Sequence, residues 1–231
     1  MKIIILAAGM GTRLGNSLPK TMTTLANNKT ILENQIDNLK TFYDIHDIMV
    51  VVGYKKEIIM EAHPELLYVY NEKFNCTNTA YSLLLALEKV KQEDALWLNG
   101  DVFFDASLVQ NVKKENRSLV FVNSEKVGKE EIKYKTNRVG MITAISKTID
   151  SGLGEAIGIN YITGFDLPLL KQGLKKCGDK DYFEKGIEIA ISNDLKIFPF
   201  NIQSQFCTEI DFKEDLSKVN KYILSQEHST G

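Results

Sequence analysis

Residues 1–20 read MKIIILAAGMGTRLGNSLPK. The apolar run Ile3–Leu6 predicts a buried strand that stops at the small residues Ala7, Ala8 and Gly9. A glycine-rich loop thus hangs from a rigid strand, and glycine lets backbone N–H groups approach a phosphate closely. The spacing separates the known uses of such loops. Gly9, Gly11 and Gly15 read G-x-G-x-x-x-G, whereas a dinucleotide-binding loop reads G-x-G-x-x-G. The second apolar run, IMVVVGY at 48–54, also ends without the acidic residue that holds a ribose. A P-loop needs G-K-[ST], and Lys20 has no glycine before it.

Working outward, strand-like runs alternate with helical patterns to about residue 125: IIIL, TILENQIDNLKTFY, IMVVVGY, KKEIIMEAH, LLYVYN, NTAYSLLLALEKV, ALWLNGD and SLVFVN. This alternation predicts an α/β fold, Rossmann-like, with a mixed, mainly parallel sheet and helices on both faces. Ligands of such sheets lie at the carboxyl ends of strands. The second half, with EEIKYK, RVGMITAIS and GEAIGINYIT, predicts shorter strands as a small β-rich substrate-binding elaboration. Helices follow at about 164–176 and 181–192, then late strands in LKIFPFNI and CTEID and a closing helix in FKEDLSKVNKYILSQ. With no repeat and no linker-like composition, residues 1–231 are expected to form one domain. Its nucleotide-binding half is 1–125, and its acceptor-binding, metal-completing half is 126–231.

Composition bounds the partners. The 231 residues are 44% hydrophobic and 25% charged, with a net charge of −2 and a pI near 6.0. That balance argues against nucleic acid or a membrane surface and for a small molecule. Cys76, Cys177 and Cys207 are scattered without metal-ligand spacing, so reduced thiols and a cytoplasmic location are expected. The starting apolar stretch is too short for a signal peptide, and no run is long enough to span a bilayer. A homo-oligomer stays open.

Arg13 and Lys20 flank the loop, and Pro19 fixes the backbone before the lysine. A guanidinium fork and an ammonium suit the oxygens of a triphosphate. Asp101 follows the strand in WLNGD, and Glu209 and Asp211 follow a late one in CTEID. Magnesium takes hard oxygen ligands and bridges one or two carboxylates to substrate phosphates, so Mg2+ is the expected cofactor.

These parts resemble the nucleotidyltransferases that activate small phosphorylated compounds: LAAGMGTR at 6–13, PK at 19–20, NGD at 99–101 and EID at 209–211. Within that group the chain is most similar to the CTP:phosphocholine and phosphonate cytidylyltransferases, through VVVGY at 50–54, NEKFNCTNTAYSLLLALE at 71–88, GEAIGINYIT at 154–163 and EIDFKEDL at 209–216. The resemblance implies transfer of CMP from CTP to a small phosphorylated or phosphonate acceptor (phosphocholine, aminoethylphosphonate or a phosphoglutamine-like compound), with release of pyrophosphate. Sugar-1-phosphate transfer from UTP, dTTP or CTP, and a non-catalytic nucleotide-binding regulator, remain as alternatives. It implies catalytic roles for Lys20, Arg13, Asp101 and Asp211, with Asp101 and Asp211 holding the metal. Nucleotide contacts are implied for Leu6, Ala7, Ala8, Gly9, Gly11, Thr12, Arg13, Lys20, Asn78, Ser82 and Gly100. Acceptor contacts are expected from Lys126, Arg138, Glu155, Tyr161 and Glu209. Lys126, Lys129, Lys133, Lys135 and Arg138 favour, where they face the crevice, an acceptor with an extra carboxylate or phosphate over choline. Trp97, inside a strand, is expected in the core rather than in an aromatic cage for a quaternary ammonium.

Overall fold

The computed structural model describes residues 1–11, 18–125 and 131–229. The IIIL run forms β1 (Lys2–Ala7) at the middle of the sheet, flanked in parallel by β2 (Ile48–Val52) and β4 (Ala95–Asn99). The edge strand β3 (Leu67–Tyr70) follows β2. On the other side β4 pairs with β9 (Glu155–Ile162), then β6 (Ser118–Asn123) and β10 (Ile197–Asn201). All main-path pairings are parallel except the two made by β9. The sheet is therefore mixed and mainly parallel, as expected.

Because β1, β2 and β4 are buried on both faces, their residues sort by period two into two cores. Ile4, Leu6, Val51 and Trp97 pack with α3 (Thr79–Leu87), α4 (Leu167–Lys175) and α5 (Phe183–Ile191). Ile3, Ile5, Val50, Leu96 and Leu98 face the opposite way and pack on α1 (Ile31–Lys40). Trp97 is fully buried and meets Phe183 edge-on, with centroids 5.8 Å apart, so it is core. The helix α2 (Lys56–Ala62) links β2 to β3.

One expectation is corrected. The segment 154–163 is not part of an appended elaboration, because β9 lies inside the main sheet between β4 and β6. Running antiparallel, it delivers its first residues, not its last, to the end where β1 and β4 finish. The hairpin of β7 (Lys133–Thr136) and β8 (Ile142–Ser146) attaches to that first residue through the Lys133–Glu155 pair.

A second small sheet sets the site. After β4 the chain turns at Gly100 and Asp101 into β5 (Val102–Phe104), which pairs antiparallel with β11 (Cys207–Glu209). The pairing continues one step as the Ile210 N–H donates to the Asp101 carbonyl at 2.9 Å. The closing helix α6 (Lys213–Ser229) follows. Helix α1, opened by a Thr30/Glu33 capping box, anchors this turn. The buried Gln35 amide donates to Asn99 O at 2.9 Å and Val102 O at 2.7 Å, bracketing Asp101. Gln35→Leu should leave both carbonyls without that donor and lower unfolding free energy by about 2 kcal/mol, measured by urea denaturation; a loss below about 0.5 kcal/mol contradicts the assigned anchor.

Candidate active site

The ends of β1 and β4 are locked together. The Gly100 N–H donates to Leu6 O at 2.9 Å, and a Cβ on Gly100 would lie 2.8 Å from that oxygen. Leu6, Ala7 and Ala8 are buried beneath the loop, which emerges at Gly9. Gly11 has φ +59, and a Cβ there would collide with the Lys20 side chain. Gly11 therefore lies directly against Lys20, which sits in a helical turn begun by Pro19. Thr12 and Arg13 lie outside the described residues.

Lys20 is the hub. Its Nζ lies 2.6 Å from Asp101 Oδ2 and 2.6 Å from Asp211 Oδ1. Burial disfavours the ammonium, but the two carboxylates outweigh it and hold the lysine pKa above its ordinary value. The other Asp101 oxygen, Oδ1, is buried without a hydrogen-bond partner among the described residues, which is costly unless a ligand takes it. Two hard carboxylates already sharing one cation, one of them with a buried oxygen that no described group satisfies, fit Mg2+ completed by phosphate and water. Among the described residues no set of three or more His, Cys, Asp or Glu groups gathers as a metal cage.

Glu209 stands behind this pair. Its Oε1 accepts from the Asn99 amide at 3.0 Å, and Gly158, at φ +72, makes room for it. A Cβ on Gly158 would come 2.5 Å from Oε1. Burial first, then the Asp101 carboxylate, pushes the Glu209 pKa up to about 8, against the Asn99 hydrogen bond. Glu184, near the start of α5, also acts on Glu209; its burial pushes its own pKa up to about 7, with its backbone N–H and Lys147 opposing. Glu131 is held above the usual carboxylate range by desolvation and then Glu155, with Asp211 and Asp215 adding and Lys147 opposing.

The structure places the other expected contact residues on α3, β9 and the β7–β8 hairpin. Asn78 is the N-cap of α3, accepting from Thr79 N at 2.9 Å, while its amide donates to Lys180 O at 3.3 Å. Ser82 is buried and accepts from the Asn71 amide at 2.9 Å, bracing the segment after β3. Tyr161 is corrected too. It is fully buried, and its hydroxyl donates to Asp94 at 2.7 Å, at the opposite end of β4 from Asp101, because β9 runs antiparallel. Arg138 is exposed in the turn of the β7–β8 hairpin, and Lys126 and Lys129 lie outside the described residues. Lys133 is buried in β7. Around Lys20 and Lys147 the described charged groups are mostly carboxylates.

Glu184 escaped the sequence reading because an acid in the first turn of a helix is ordinary macrodipole usage. Its titration makes a stability prediction. The folded chain keeps a proton that the unfolded chain releases near pH 4.5, so stability falls as pH rises from about 4.5 through about 7. Glu184→Gln should therefore be more stable than the parent at pH 8 by roughly 2–3 kcal/mol, with little difference near pH 4.5, in thermal melts across that range.

Comparisons with known proteins bear on the family and the fold. The bifunctional protein GlmU of Methanococcus maripaludis is 35% identical over 150 residues, which is 62% of this chain and 35% of that protein. The choline-phosphate cytidylyltransferase of Streptococcus pneumoniae is 42% identical over 96 residues, 39% of this chain and 41% of that protein. Each match thus spans about two fifths or less of the relative's own length. Among solved structures, the CTP:phosphocholine cytidylyltransferase of S. pneumoniae superposes with a TM-score of 0.81 at 23% identity, covering 96% of this chain and 98% of that one. The inositol-1-phosphate CTP transferase of T. maritima does so with a TM-score of 0.77 at 23% identity, covering 95% and 93%. The MobA-like NTP transferase domain matches residues 3–157, and with β1, its glycine loop and Asp101 all inside that span, the chain belongs to this family.

Proposed function

We propose that the protein is a Mg2+-dependent cytidylyltransferase that moves CMP from CTP onto a small phosphorylated or phosphonate acceptor carrying a positive charge. The observation that carries the reading is the Lys20 ammonium held by Asp101 and Asp211 beside the Gly9–Gly11 loop. A loop for phosphates, a lysine and two acids that can share a divalent cation are what phosphoryl-centre chemistry requires, since catalysis there rests on positioning and charge stabilisation. The cytidine preference rests on the matched choline-phosphate cytidylyltransferase.

An acceptor phosphate is ionised near neutral pH, so no side chain need remove a proton. One of its oxygens attacks the α-phosphorus of CTP, that P–O bond forms, the bond to the β-phosphate oxygen breaks, and pyrophosphate leaves. Lys20 offsets charge on the α-phosphate as it grows. Mg2+, held by Asp101 and Asp211, would neutralise the triphosphate and help order it.

The described residues support a positive charge on the acceptor. Tyr182 is partly exposed and already carries a cation over its ring, with Lys147 Nζ 5.0 Å from the centroid. Two residues on, buried Glu184 adds a carboxylate, and Glu131 and Glu155 lie in electrostatic reach of each other near Asp211. An aromatic face backed by acids suits an ammonium. This favours phosphocholine or aminoethylphosphonate over acceptors bearing an extra anionic group.

Pyrophosphate release should appear with CTP, Mg2+ and phosphocholine or aminoethylphosphonate. Release only with UTP or dTTP and a sugar-1-phosphate would contradict the reading. Lys20→Ala and Asp101→Asn should each lower kcat at least 100-fold while circular dichroism stays native; turnover within tenfold of the parent contradicts their roles. Glu184→Gln should raise KM for the cationic acceptor at least tenfold and leave KM for CTP within twofold, so that a variant gaining stability loses acceptor recognition.

A further inference from the structure

The ammonium of Lys20 occupies the place between the two carboxylates where a bridging cation belongs. Asp101 Oδ2 and Asp211 Oδ1 each lie 2.6 Å from one nitrogen, so the two oxygens are no more than twice that distance apart and converge on a single point. A magnesium ion taking the same two oxygens would need to approach each to about 2.1 Å, in competition with the nitrogen for both. Two cations cannot share that point, by volume or by charge.

The lysine backbone is not free to withdraw. Gly11 is packed on it, with Lys20 N and Cα 3.0 and 3.1 Å from where a Gly11 Cβ would stand. Pro19 precedes it, and the Lys20 carbonyl is tied to Thr23 N at 3.0 Å. Any movement is confined to the torsions of the side chain, whose root touches the glycine loop. The unpartnered Asp101 Oδ1 is a second sign that this acid is not satisfied by the lysine alone.

We propose that Lys20 and a divalent cation compete for one position between Asp101 and Asp211, so that metal loading ejects the ammonium from the acid pair. The released lysine, still rooted at Gly11, then stands beside the loop with its charge unneutralised. The competition is argued from the carboxylate geometry; only what Lys20 meets afterwards, a triphosphate, rests on the transferase reading. The lysine thus has two stations: counter-ion of the acids without metal, and phosphate ligand with it. Metal loading and lysine delivery become one event.

Manganese binding to the nucleotide-free protein, followed by electron paramagnetic resonance up to millimolar Mn2+, tests this apart from activity. Lys20→Met should bind Mn2+ at least tenfold more tightly than the parent. Lys2→Met is the charge control. It removes a lysine ion-paired at 2.6 Å to Asp47, at the opposite end of β1, and should leave Mn2+ affinity within twofold of the parent. Unchanged or weaker binding by Lys20→Met, an equal gain in the control, or no binding by any of the three overturns the inference. None of those results touches pyrophosphate release, which tests the transferase reading. Should Lys20→Met fail to fold, amine labelling of the parent read by mass spectrometry decides: Mg2+ alone should speed modification of Lys20 at least threefold, and an unchanged or slower rate overturns the competition.

Discussion

An ammonium held between two carboxylates ties together three parts of the chain that lie 81 and 191 residues apart. Everything else in the site serves that meeting. The parallel pairing of β1 with β4 brings the glycine loop beside Asp101, and the short β5–β11 ladder, continued by Ile210 onto the Asp101 carbonyl, sets Asp211 next to it. Gln35 on α1 holds the turn between β4 and β5 from below. Such convergence at strand ends is the usual consequence of a parallel sheet, whose carboxyl edges face one crevice. Here a tiny antiparallel ladder supplies the last acid.

The acids around that hub are expensive. Glu184 is buried and Glu209 enclosed against Asp101, and both are pushed toward neutral or higher pKa values. A protein selected for stability alone would replace them with apolar or amide side chains. Their retention in a crevice with a partly exposed tyrosine, next to Gly9 and Gly11, is the kind of local conflict that functional sites carry.

Much of this was legible in the sequence because it rests on local pattern. The IIIL run, its abrupt stop at small residues, the alternation of strands and helices, and an aspartate directly after a hydrophobic strand all follow from periodicity and turn chemistry. Lys20, Asp101 and Asp211 were found from residue type and position. What failed depended on pairing at long range. GEAIGINYIT has the period of a strand, but nothing local says that it inserts antiparallel between β4 and β6. That direction is why Tyr161 ends at Asp94 while Gly158 ends beside Glu209. Ser82 lies on the helix α3 face turned toward Asn71, a distinction of one helical face that a short apolar helix conceals. Glu184 is invisible for a different reason, since its isolation from water comes from the packing of α5 and not from its neighbours in sequence.

The most direct test of the account follows the phosphorus atoms themselves. Phosphorus NMR of the protein with CTP, Mg2+ and phosphocholine should show the three triphosphate resonances replaced by free pyrophosphate and the coupled pair of a diphosphate diester, with the phosphomonoester signal falling in step. Appearance of CDP and inorganic phosphate, or of CMP and pyrophosphate while the phosphomonoester signal stays intact, would show cleavage of the nucleotide without transfer and contradict the assignment of an acceptor to this crevice.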